Sequence, residues 1–334
     1  MGSRIIATGA CLPEKAVSNE ELGKLINEIN GLEGAEGIDD QWVAKRSGIH
    51  ERRIVTGENT SDLAAGAAQQ VLSRSGTAAE DIDLIIVASC TPDYQTPNLG
   101  SMVQRQIGAD RAVCFGISAA CSGFIFALSV ADKYVGSGLA KKAIVIGAEV
   151  LSKATDWSDK NTCVLFGDGA AAVLIEHSET QAILGEELGS KGSKSHVLTN
   201  GYFPAANAFN GVEPMKVEDA YTRMDGLEVF SFAVKKLSSS IMSVLDKEGL
   251  SLDDIKYIVP HQANLRIIEA VAKRLGTEQD KFYVNLDRFG NTSSASIPIA
   301  LNELNEEGRL ERGDRIVLAG FGGGLTWGTM LIEW

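Results

Sequence analysis

The second half of this chain repeats the first at a nearly constant spacing. Three pairs of segments carry the likeness, at Gly76 and Gly249, at Ala127 and Ala300, and at Ile144 and Ile316. The first two pairs have the same separation along the chain, and the members of the third pair are closer together by a single position. Agreement over separate segments favours an internal duplication, and chance local likeness is the weaker alternative. A duplicated chain is strongly constrained, because both copies must fold alike.

Each repeat predicts an alternation of buried strands and helices, which is the pattern of an α/β layer with a mostly parallel sheet. At 334 residues the chain is long enough to bury two such layers. We therefore predict the α/β class, as a five-layer α-β-α-β-α sandwich of two duplicated halves, residues 1–177 and 178–334. Sites in such sheets tend to lie at strand ends near the join.

Cys121 follows a predicted strand and a turn of small residues, at or next to the first residue of an amphipathic helix. Phe124, Leu128, Ala131 and Val135 recur after it at helical spacing. The free N–H groups and dipole of a helix N-terminus favour negative charge, so we expect the thiol pKa to fall below its usual value of about 8.5. Taken alone, the segment fits a nucleophile and an inert core cysteine equally well.

Two turns of the same kind occur in the second repeat. His261 directly follows a predicted strand and opens a helix, and Asn291 opens a run of small polar residues before another helix. At the spacing of the first two pairs Ser294 is the duplicate of Cys121, so both repeats direct a turn to one place. A Gly-rich segment, residues 320–328, provides N–H groups where bulky side chains cannot intrude.

A cysteine, a histidine and an asparagine on such turns suit acyl transfer. The thiolate takes the acyl group and backbone N–H groups bind the oxyanion. The histidine and asparagine can stabilise a second negative charge without acting as a base. The alternative is a hydrogen-bonded core histidine beside an ordinary Asn-Thr turn.

Trp42 and Arg46 lie one helical turn apart in the N-terminal region. A tryptophan and an arginine so placed could stack on a purine and bind a phosphate. A half-buried tryptophan beside a solvated arginine is at least as good an interpretation from these residues alone.

Two stretches are expected to be irregular. Residues 27–39 are rich in Gly and Glu, which predicts an exposed loop or insertion. Residues 185–222 contain many Gly, Ser and Asn, which predicts a long loop region over a surface or cleft.

Composition excludes several classes of protein. A net charge of -13 argues against general nucleic-acid binding, and an acidic partner would need a local basic patch. The sequence contains no run of about 18 apolar residues, so we expect no membrane span. The first residues predict a strand rather than a signal peptide. Five cysteines without a C-x-x-C pair disfavour a disulfide framework or zinc site and fit a reducing cytosol, so we expect a cytoplasmic protein.

Taken together, these segments resemble the β-ketoacyl-acyl carrier protein synthase III family, the initiating condensing enzymes of type II fatty-acid synthesis in the thiolase superfamily. The likeness covers nearly the whole chain. It is carried by Ser118-Ala-Ala-Cys121-Ser-Gly-Phe, Val259-Pro-His261-Gln-Ala-Asn-Leu-Arg266, Gly290-Asn291-Thr-Ser-Ser-Ala-Ser and Gly320-Phe-Gly-Gly-Gly-Leu-Thr-Trp. A Cys-His-Asn set, rather than Cys-His-His, resembles the class III enzymes and not the chain-elongating ones.

The resemblance implies a two-step reaction without a metal or redox cofactor, in which acyl-CoA is a substrate. Acyl-CoA acylates Cys121 and CoA leaves. Malonyl-acyl carrier protein then loses CO2, with His261 and Asn291 stabilising the enolate, and the carbanion attacks the acyl-enzyme to give a 3-ketoacyl product. The implied oxyanion hole is the N–H of Cys121 with that of Gly323, and Phe321 borders the malonyl carboxylate.

The resemblance also assigns binding residues. Trp42 and Arg46 match the residues that stack on adenine and contact phosphate in CoA. The second stacking arginine of the family is Lys160 here, which has no planar face for stacking. Thr96 matches the residue that closes the acyl pocket across the dimer interface, where acetyl-selective members carry Phe. We therefore expect a pocket that accepts primers longer or bulkier than acetyl.

Two partners follow from the same likeness. One is a second copy of the chain, in a homodimer. The other is the carrier protein, whose patch would be Arg266, Lys273 and Arg274 on the helix after His261.

Three other functions stay open from the residues. The nearest is a related CoA-accepting ketoacyl synthase or acyltransferase of secondary metabolism on the same fold. A Cys-His-Asn thiol hydrolase is disfavoured because no papain-like segment surrounds Cys121. A non-catalytic scaffold is disfavoured because all three chemical residues are present.

Overall fold

The protein is described by a computed structural model that covers residues 2–32 and 37–334. The helices, in chain order, are α1 (Asn19–Asn30), α2 (Asp40–Ser47), α3 (Thr60–Ser75), α4 (Leu99–Ile107), α5 (Gly123–Gly136), α6 (Gly226–Lys247), α7 (Leu265–Leu275), α8 (Leu286–Phe289) and α9 (Ser296–Glu306). The strands are β1 (Gly2–Cys11), β2 (Ala16–Ser18), β3 (Glu51–Arg53), β4 (Leu84–Ala88), β5 (Val113–Ile117), β6 (Lys142–Glu149), β7 (Gly169–Ser178), β8 (Ile183–Ser190), β9 (Leu198–Thr199), β10 (Arg223–Met224), β11 (Tyr257–Pro260), β12 (Arg315–Gly322) and β13 (Thr326–Glu333).

Two large sheets form the framework. The first has the strand order β1-β7-β6-β4-β5 and the second has the order β11-β12-β13-β8. In the first sheet β4 runs parallel to both β5 and β6, and β7 is antiparallel to β6 and β1. In the second, β11 and β12 are parallel and the remaining pairs are antiparallel. The predicted division at residues 177 and 178 falls at the end of β7 and stays an interpretation.

The strands reproduce the duplication at a single spacing. The first residues of β6 and β12 are as far apart in the sequence as Gly76 and Gly249 are, and so are their last residues. The pairing of Leu84 with Ala143 in the first sheet is repeated by Tyr257 with Ile316 in the second, at that same separation. The shorter spacing inferred for Ile144 was therefore wrong by one position, because two adjacent β-branched residues can be aligned in either register.

The helices complete five layers, as predicted. Helices α5 and α9 lie between the sheets, where Leu128 and Leu301 share one core with Ile86 of the first sheet and Leu318 of the second. Helices α3 and α4 cover the outer face of the first sheet, and α6 and α7 cover that of the second. The central helices are apolar on most sides, as burial between two sheets requires.

The first stretch expected to be irregular is ordered at both ends. Helix α1 continues to Asn30, and Ile38 is buried. The Asn27 side chain donates to the carbonyl of Ile38 (3.1 Å) and accepts from its N–H (2.8 Å). The prediction of an exposed loop was wrong for these residues, because α1 continues into the stretch and the Asn27 side chain fixes Ile38 against it, a contact that the Gly-rich local sequence does not indicate. The part of that prediction on residues 33–36 lies outside the described residues.

The second stretch begins with a strand, β8, which pairs with β13. Its glycines were taken as a sign of a loop, and this was wrong for residues 185–190. A Cβ on Gly189 would lie 2.1 Å from the Trp327 ring, and one on Gly185 would lie 3.0 Å from the Glu248 carboxylate. These glycines make room for large neighbours on a sheet, which is one of the uses of glycine inside a strand.

A close backbone contact joins the halves and gives a test of the packing. A Cβ on Gly147 of β6 would lie 2.3 Å from the carbonyl oxygen of Ser294, which cannot move without shifting α9. We expect Gly147→Ala to lower the free energy of unfolding by about 3 kcal/mol in urea titrations. Gly57→Ala is the matched control, because no atom lies within 4 Å of its Cβ position, and it should change stability by less than about 0.5 kcal/mol. Equal effects would contradict the packing.

Candidate active site

One cavity, with a volume of about 490 Å³, lies where the two halves meet. Cys121 of the first half lines it together with His261 and Asn291 of the second half. The prediction that these three side chains face a common space is therefore supported by their positions. The cavity walls are mostly apolar, and Trp42 and Arg46 belong to the wall as well.

Cys121 sits in a short 3-10 turn, Ala120–Ser122, which leads directly into α5 at Gly123. The residue before it, Ala120, has a φ of 45°, a left-handed conformation that costs energy for any residue with a Cβ. On its other side Gly322 of β12 comes so close that a Cβ there would lie 2.5 Å from the nitrogen of Cys121. Glycine is therefore required at position 322, and the turn is held between two elements.

The Cys121 thiol is protonated in the free protein. Burial raises its pKa to about 12, and the nearby Glu149 carboxylate adds to the rise. A hydrogen bond with the Ser293 side chain and one from the backbone N–H of Cys121 itself partly offset the effect. The expected lowering of this pKa was wrong for the unliganded state, since loss of water outweighs the local helix N-terminus. The N–H that points at the sulfur remains well placed for a charge formed during a reaction.

His261 lies at the end of β11 and is almost fully buried. Its backbone N–H donates to the carbonyl of Ala319 (2.8 Å), and its ring packs edge-on against Phe321 with centroids 5.4 Å apart. Among the described residues its Nδ1 has no hydrogen-bond partner. Burial lowers the pKa of His261 to about 3, so the imidazole is neutral near neutral pH. A neutral imidazole can donate one hydrogen bond from Nε2 into the cavity.

Asn291 is fixed by bonds to its backbone and to its side-chain oxygen. Its N–H donates to the carbonyl of Leu165 (2.8 Å), and its carbonyl accepts from the N–H of Gly167 (3.0 Å). Its Oδ1 accepts from the N–H of Ser293 (2.8 Å). Since the oxygen is occupied, the side chain presents its Nδ2–H groups as donors.

The glycines at the end of β12 and directly after it border the nucleophile, as the Gly-rich segment suggested. Gly322, Gly323 and Gly324 all line the cavity. A Cβ on Gly323 would lie 3.0 Å from the carbonyl oxygen of Leu198 and 3.6 Å from the Cβ of Ala120, so the chain here runs between these two residues. The assignment of the Gly323 N–H to an oxyanion hole stays a prediction.

Trp42 and Arg46 are already in contact with each other. The guanidinium carbon of Arg46 lies 3.8 Å from the centre of the Trp42 ring, and its Nη1 donates to the carbonyl of Trp42 (3.1 Å). Trp42 is half-buried and Arg46 is exposed. The geometry thus places both residues at the cavity. The face of the Trp42 ring that was predicted to stack on a purine is covered by Arg46.

Two of the predicted binding residues are not part of the cavity wall. Lys160 and Thr96 are exposed, and neither belongs to the wall that the described residues form around the cavity. Asn161, next to Lys160, does line it. The prediction for Thr96 concerned a second copy of the chain, so a single chain does not test it.

The predicted carrier-protein patch lies on one exposed side of α7. Arg266, Lys273 and Arg274 are exposed. The Arg266 guanidinium donates to the backbone carbonyl of Lys45 (2.8 Å). This bond places the C-terminal part of α2, with the positive charge of Lys45, beside the patch. Lys45 was missed from the sequence, because nothing local indicates that α2 packs beside α7.

Three further residues at the nucleophile were also missed. Cys90 lines the cavity, its Sγ is 3.7 Å from the Ser293 hydroxyl, and it lies 3.4 Å from both Glu149 oxygens. Glu149 is fully buried. The one available signal was the repeat, since Ser293 is the duplicate of Ala120 and likewise has a left-handed φ, of 48°.

No helix in the described ranges combines the length and apolarity that crossing a membrane needs.

Comparisons with known proteins agree with one another. The family model for 3-oxoacyl-[acyl-carrier-protein] synthase III matches residues 115–192, and the model for its C-terminal part matches residues 245–334. The chain is 48% identical over 331 residues to the beta-ketoacyl-[acyl-carrier-protein] synthase III of Clostridium acetobutylicum, covering 99% of this chain and 98% of the relative. It is 47% identical over 338 residues to that of Clostridium tetani, with the same coverage.

A solved structure gives the same result. The crystal structure of 3-oxoacyl-[acyl-carrier-protein] synthase III from Aquifex aeolicus VF5 superposes with a TM-score of 0.90 at 41% identity, covering 100% of both chains. Similarity of this extent means that the fold and the reaction class are shared along the whole chain.

The neutral state of His261 gives a prediction on stability. Between the unfolded pKa of about 6.5 and the folded value of about 3, the unfolded chain binds a proton that the folded chain does not. Stability contributed by this residue is therefore lost as the pH falls. From about pH 7 to about pH 5 we expect wild type to lose about 2 kcal/mol more than His261→Gln in urea unfolding. Parallel losses in the two proteins would contradict a neutral, buried imidazole.

Proposed function

The chain belongs to the 3-oxoacyl-[acyl-carrier-protein] synthase III family, and we propose that Cys121, His261 and Asn291 carry out the family's reaction in it. It is a condensing enzyme of fatty-acid synthesis and an acyltransferase. The observation that supports the assignment of residues is that all three side chains line one cavity from two halves of the chain.

In the first step Cys121 takes the acyl group from acyl-CoA. The sulfur attacks the thioester carbonyl, the bond from that carbon to the CoA sulfur breaks, and the thiol proton ends on CoA. Because burial keeps the thiol protonated at rest, the charge has to be stabilised as it forms. The N–H of Cys121 and that of Gly323 are proposed to hold the resulting oxyanion.

In the second step malonyl-acyl carrier protein loses CO2 and leaves an enolate at its thioester oxygen. We assign the stabilisation of that oxygen to a hydrogen bond from His261 Nε2 and another from Asn291 Nδ2. The low pKa of His261 supports this role, because a neutral imidazole donates one hydrogen bond and has no extra proton to give to the enolate. The carbanion attacks the acyl-enzyme carbonyl, Cys121 leaves as the thiolate and regains a proton, and Phe321 borders the malonyl carboxylate.

The CoA nucleotide is assigned to the mouth of the cavity. Trp42 and Arg46 are proposed to bind its adenine and phosphate, and Arg46 must then leave the Trp42 ring that it covers. Exposed Lys160 lies beside the cavity residue Asn161 and can contribute a charge but no planar stacking surface.

A homodimer is proposed, with β5 at the interface. This strand is an edge of the first sheet, and Val113 on it is 59% exposed while Phe115 is only partly covered. An exposed apolar edge is a template for pairing with another strand. In such a dimer Thr96 would close the acyl pocket of the partner, and its small side chain favours primers longer or bulkier than acetyl.

Alternative functions are weaker. A CoA-accepting synthase or acyltransferase of secondary metabolism would share the fold, but eight relatives at 44–48% identity are each named beta-ketoacyl-[acyl-carrier-protein] synthase III. The five cysteines all fall within the described residues and none is in a disulfide, which supports the proposal of a reducing, cytoplasmic location.

The two steps can be separated by substitution. We expect His261→Ala and Asn291→Ala each to slow CO2 release from malonyl-acyl carrier protein by about 100-fold or more, because each removes a donor from the enolate. Transfer of acyl from acyl-CoA to Cys121, followed as CoA release in a single turnover, should persist in both. His196→Ala is the matched control, since His196 is exposed and outside the cavity wall. Undiminished CO2 release in both variants would contradict the assignment of these two residues.

The carrier-protein patch has its own test. Lys273→Glu should raise the KM for malonyl-acyl carrier protein about tenfold at low salt, and the effect should shrink as salt is added. Loading from acyl-CoA should be unchanged. Lys141→Glu reverses an exposed charge next to β6 of the first sheet, away from α7, and serves as the control. If both reversals raise the KM equally, the effect reflects net charge and the patch is wrongly placed.

A further inference from the structure

Cys90 is a second thiol at the active site that the condensation reaction does not use. It lies two residues beyond β4 and lines the same cavity as the nucleophile. Both oxygens of the buried Glu149 carboxylate are 3.4 Å from this sulfur, and the N–H of Cys90 donates to the same carboxylate (3.1 Å). The thiol is thus held in place with a proton acceptor against it.

The nucleophile is its neighbour in space. Strands β4 and β5 are adjacent and parallel, pairing Ala88 with Ile117, so the turns after them emerge side by side. Cys121 is on the second of these turns. Ser293 also relates the two thiols, since its hydroxyl lies 3.7 Å from Cys90 Sγ and a hydrogen bond from it is one of the causes that lower the pKa of Cys121. Cys90, Cys121 and Ser293 all line the one cavity, so the two thiols face a common space.

We infer that Cys90 is a resolving cysteine for Cys121, and that a peroxide converts the two thiols into an intrachain disulfide that blocks the nucleophile reversibly. First, the Cys121 sulfur attacks one peroxide oxygen, the O–O bond breaks, and Cys121 sulfenic acid and water form. Then Cys90 attacks the sulfenic sulfur, its proton passes to Glu149 and on to the leaving hydroxide, and the disulfide and a second water form. Two thiols are oxidised and one peroxide is reduced.

Such a bond would protect the enzyme from permanent damage. A cysteine with no resolving partner passes from sulfenic to sulfinic acid, which thiol reductants do not reverse. Burial raises the pKa of both thiols, so the reaction starts from protonated sulfurs and should be slower than that of an exposed thiolate. An acyl group on Cys121 should prevent it altogether, since no free thiol then remains to react.

The crosslink can be read directly by mass. The full chain is treated with hydrogen peroxide, its remaining thiols are alkylated without reduction, and the protein is weighed intact and after proteolysis. Of the five cysteines, three should still be alkylated, and a peptide pair joining Cys90 to Cys121 should appear. Condensing activity should be lost and then return with a thiol reductant. Because the readout is a covalent link, it can fail while the proposed function holds, and the reverse is also true.

Variants distinguish this pair from general oxidation. In Cys90→Ser and in Cys90→Ala, Cys121 should gain oxygen atoms instead, and activity, normalised to each untreated variant, should not return with reductant. Cys11→Ser removes a cysteine outside the cavity wall and should behave as wild type. Oxygen uptake at Cys121 of the wild type with Cys90 still alkylated, or a crosslink to any other cysteine, would overturn the inference.

Discussion

The arrangement of the site depends on a backbone contact between the two repeats that only glycine allows. Gly147 of the first sheet faces the carbonyl of Ser294 in the second repeat, with 2.3 Å from its Cβ position to that oxygen. Its duplicate, Gly320, lies beside the carbonyl of Cys121, whose oxygen is at an ordinary contact distance of 3.4 Å from the Cβ position. Each sheet therefore holds the turn of the opposite repeat against its own central strands. Because the contact is made by backbone atoms, it leaves the side chains of both turns free for other roles.

The two copies have diverged in how they use this geometry. In one, Cys121 opens into the cavity. In the other, Ser294 is buried, with its hydroxyl 2.8 Å from both the carbonyl of Ala88 and the Glu149 carboxylate. Glu149 in turn accepts hydrogen bonds from Thr91 (2.6 Å) and from the loop that carries Cys90. Of these two duplicated positions, Ser294 thus serves packing and Cys121 faces the cavity.

The sequence was most informative where the chemistry is local. Cys121 could be located because a strand end, a small-residue turn and a helix start are contiguous, and the repeat then predicted the layers. What could not be predicted depends on distant contacts. The high pKa of the thiol comes from burial by both halves, and the partnership of Cys90, Ser293 and Glu149 joins a loop, a turn and a strand end that are far apart in the sequence. The strand around Gly189 was misjudged because its partner, the Trp327 ring, lies more than a hundred residues away.

The central claim is that Cys121 carries the acyl group between two reactions at one cavity. It is tested most directly by weighing the intact protein after incubation with a panel of acyl-CoAs, mapping the adduct, and then adding malonyl-acyl carrier protein. The account predicts one acyl mass on Cys121, heavier acyl groups than acetyl among those accepted, none on Cys121→Ser, and its removal by the second substrate. An adduct on another residue, or one that survives in Cys121→Ser, would contradict it.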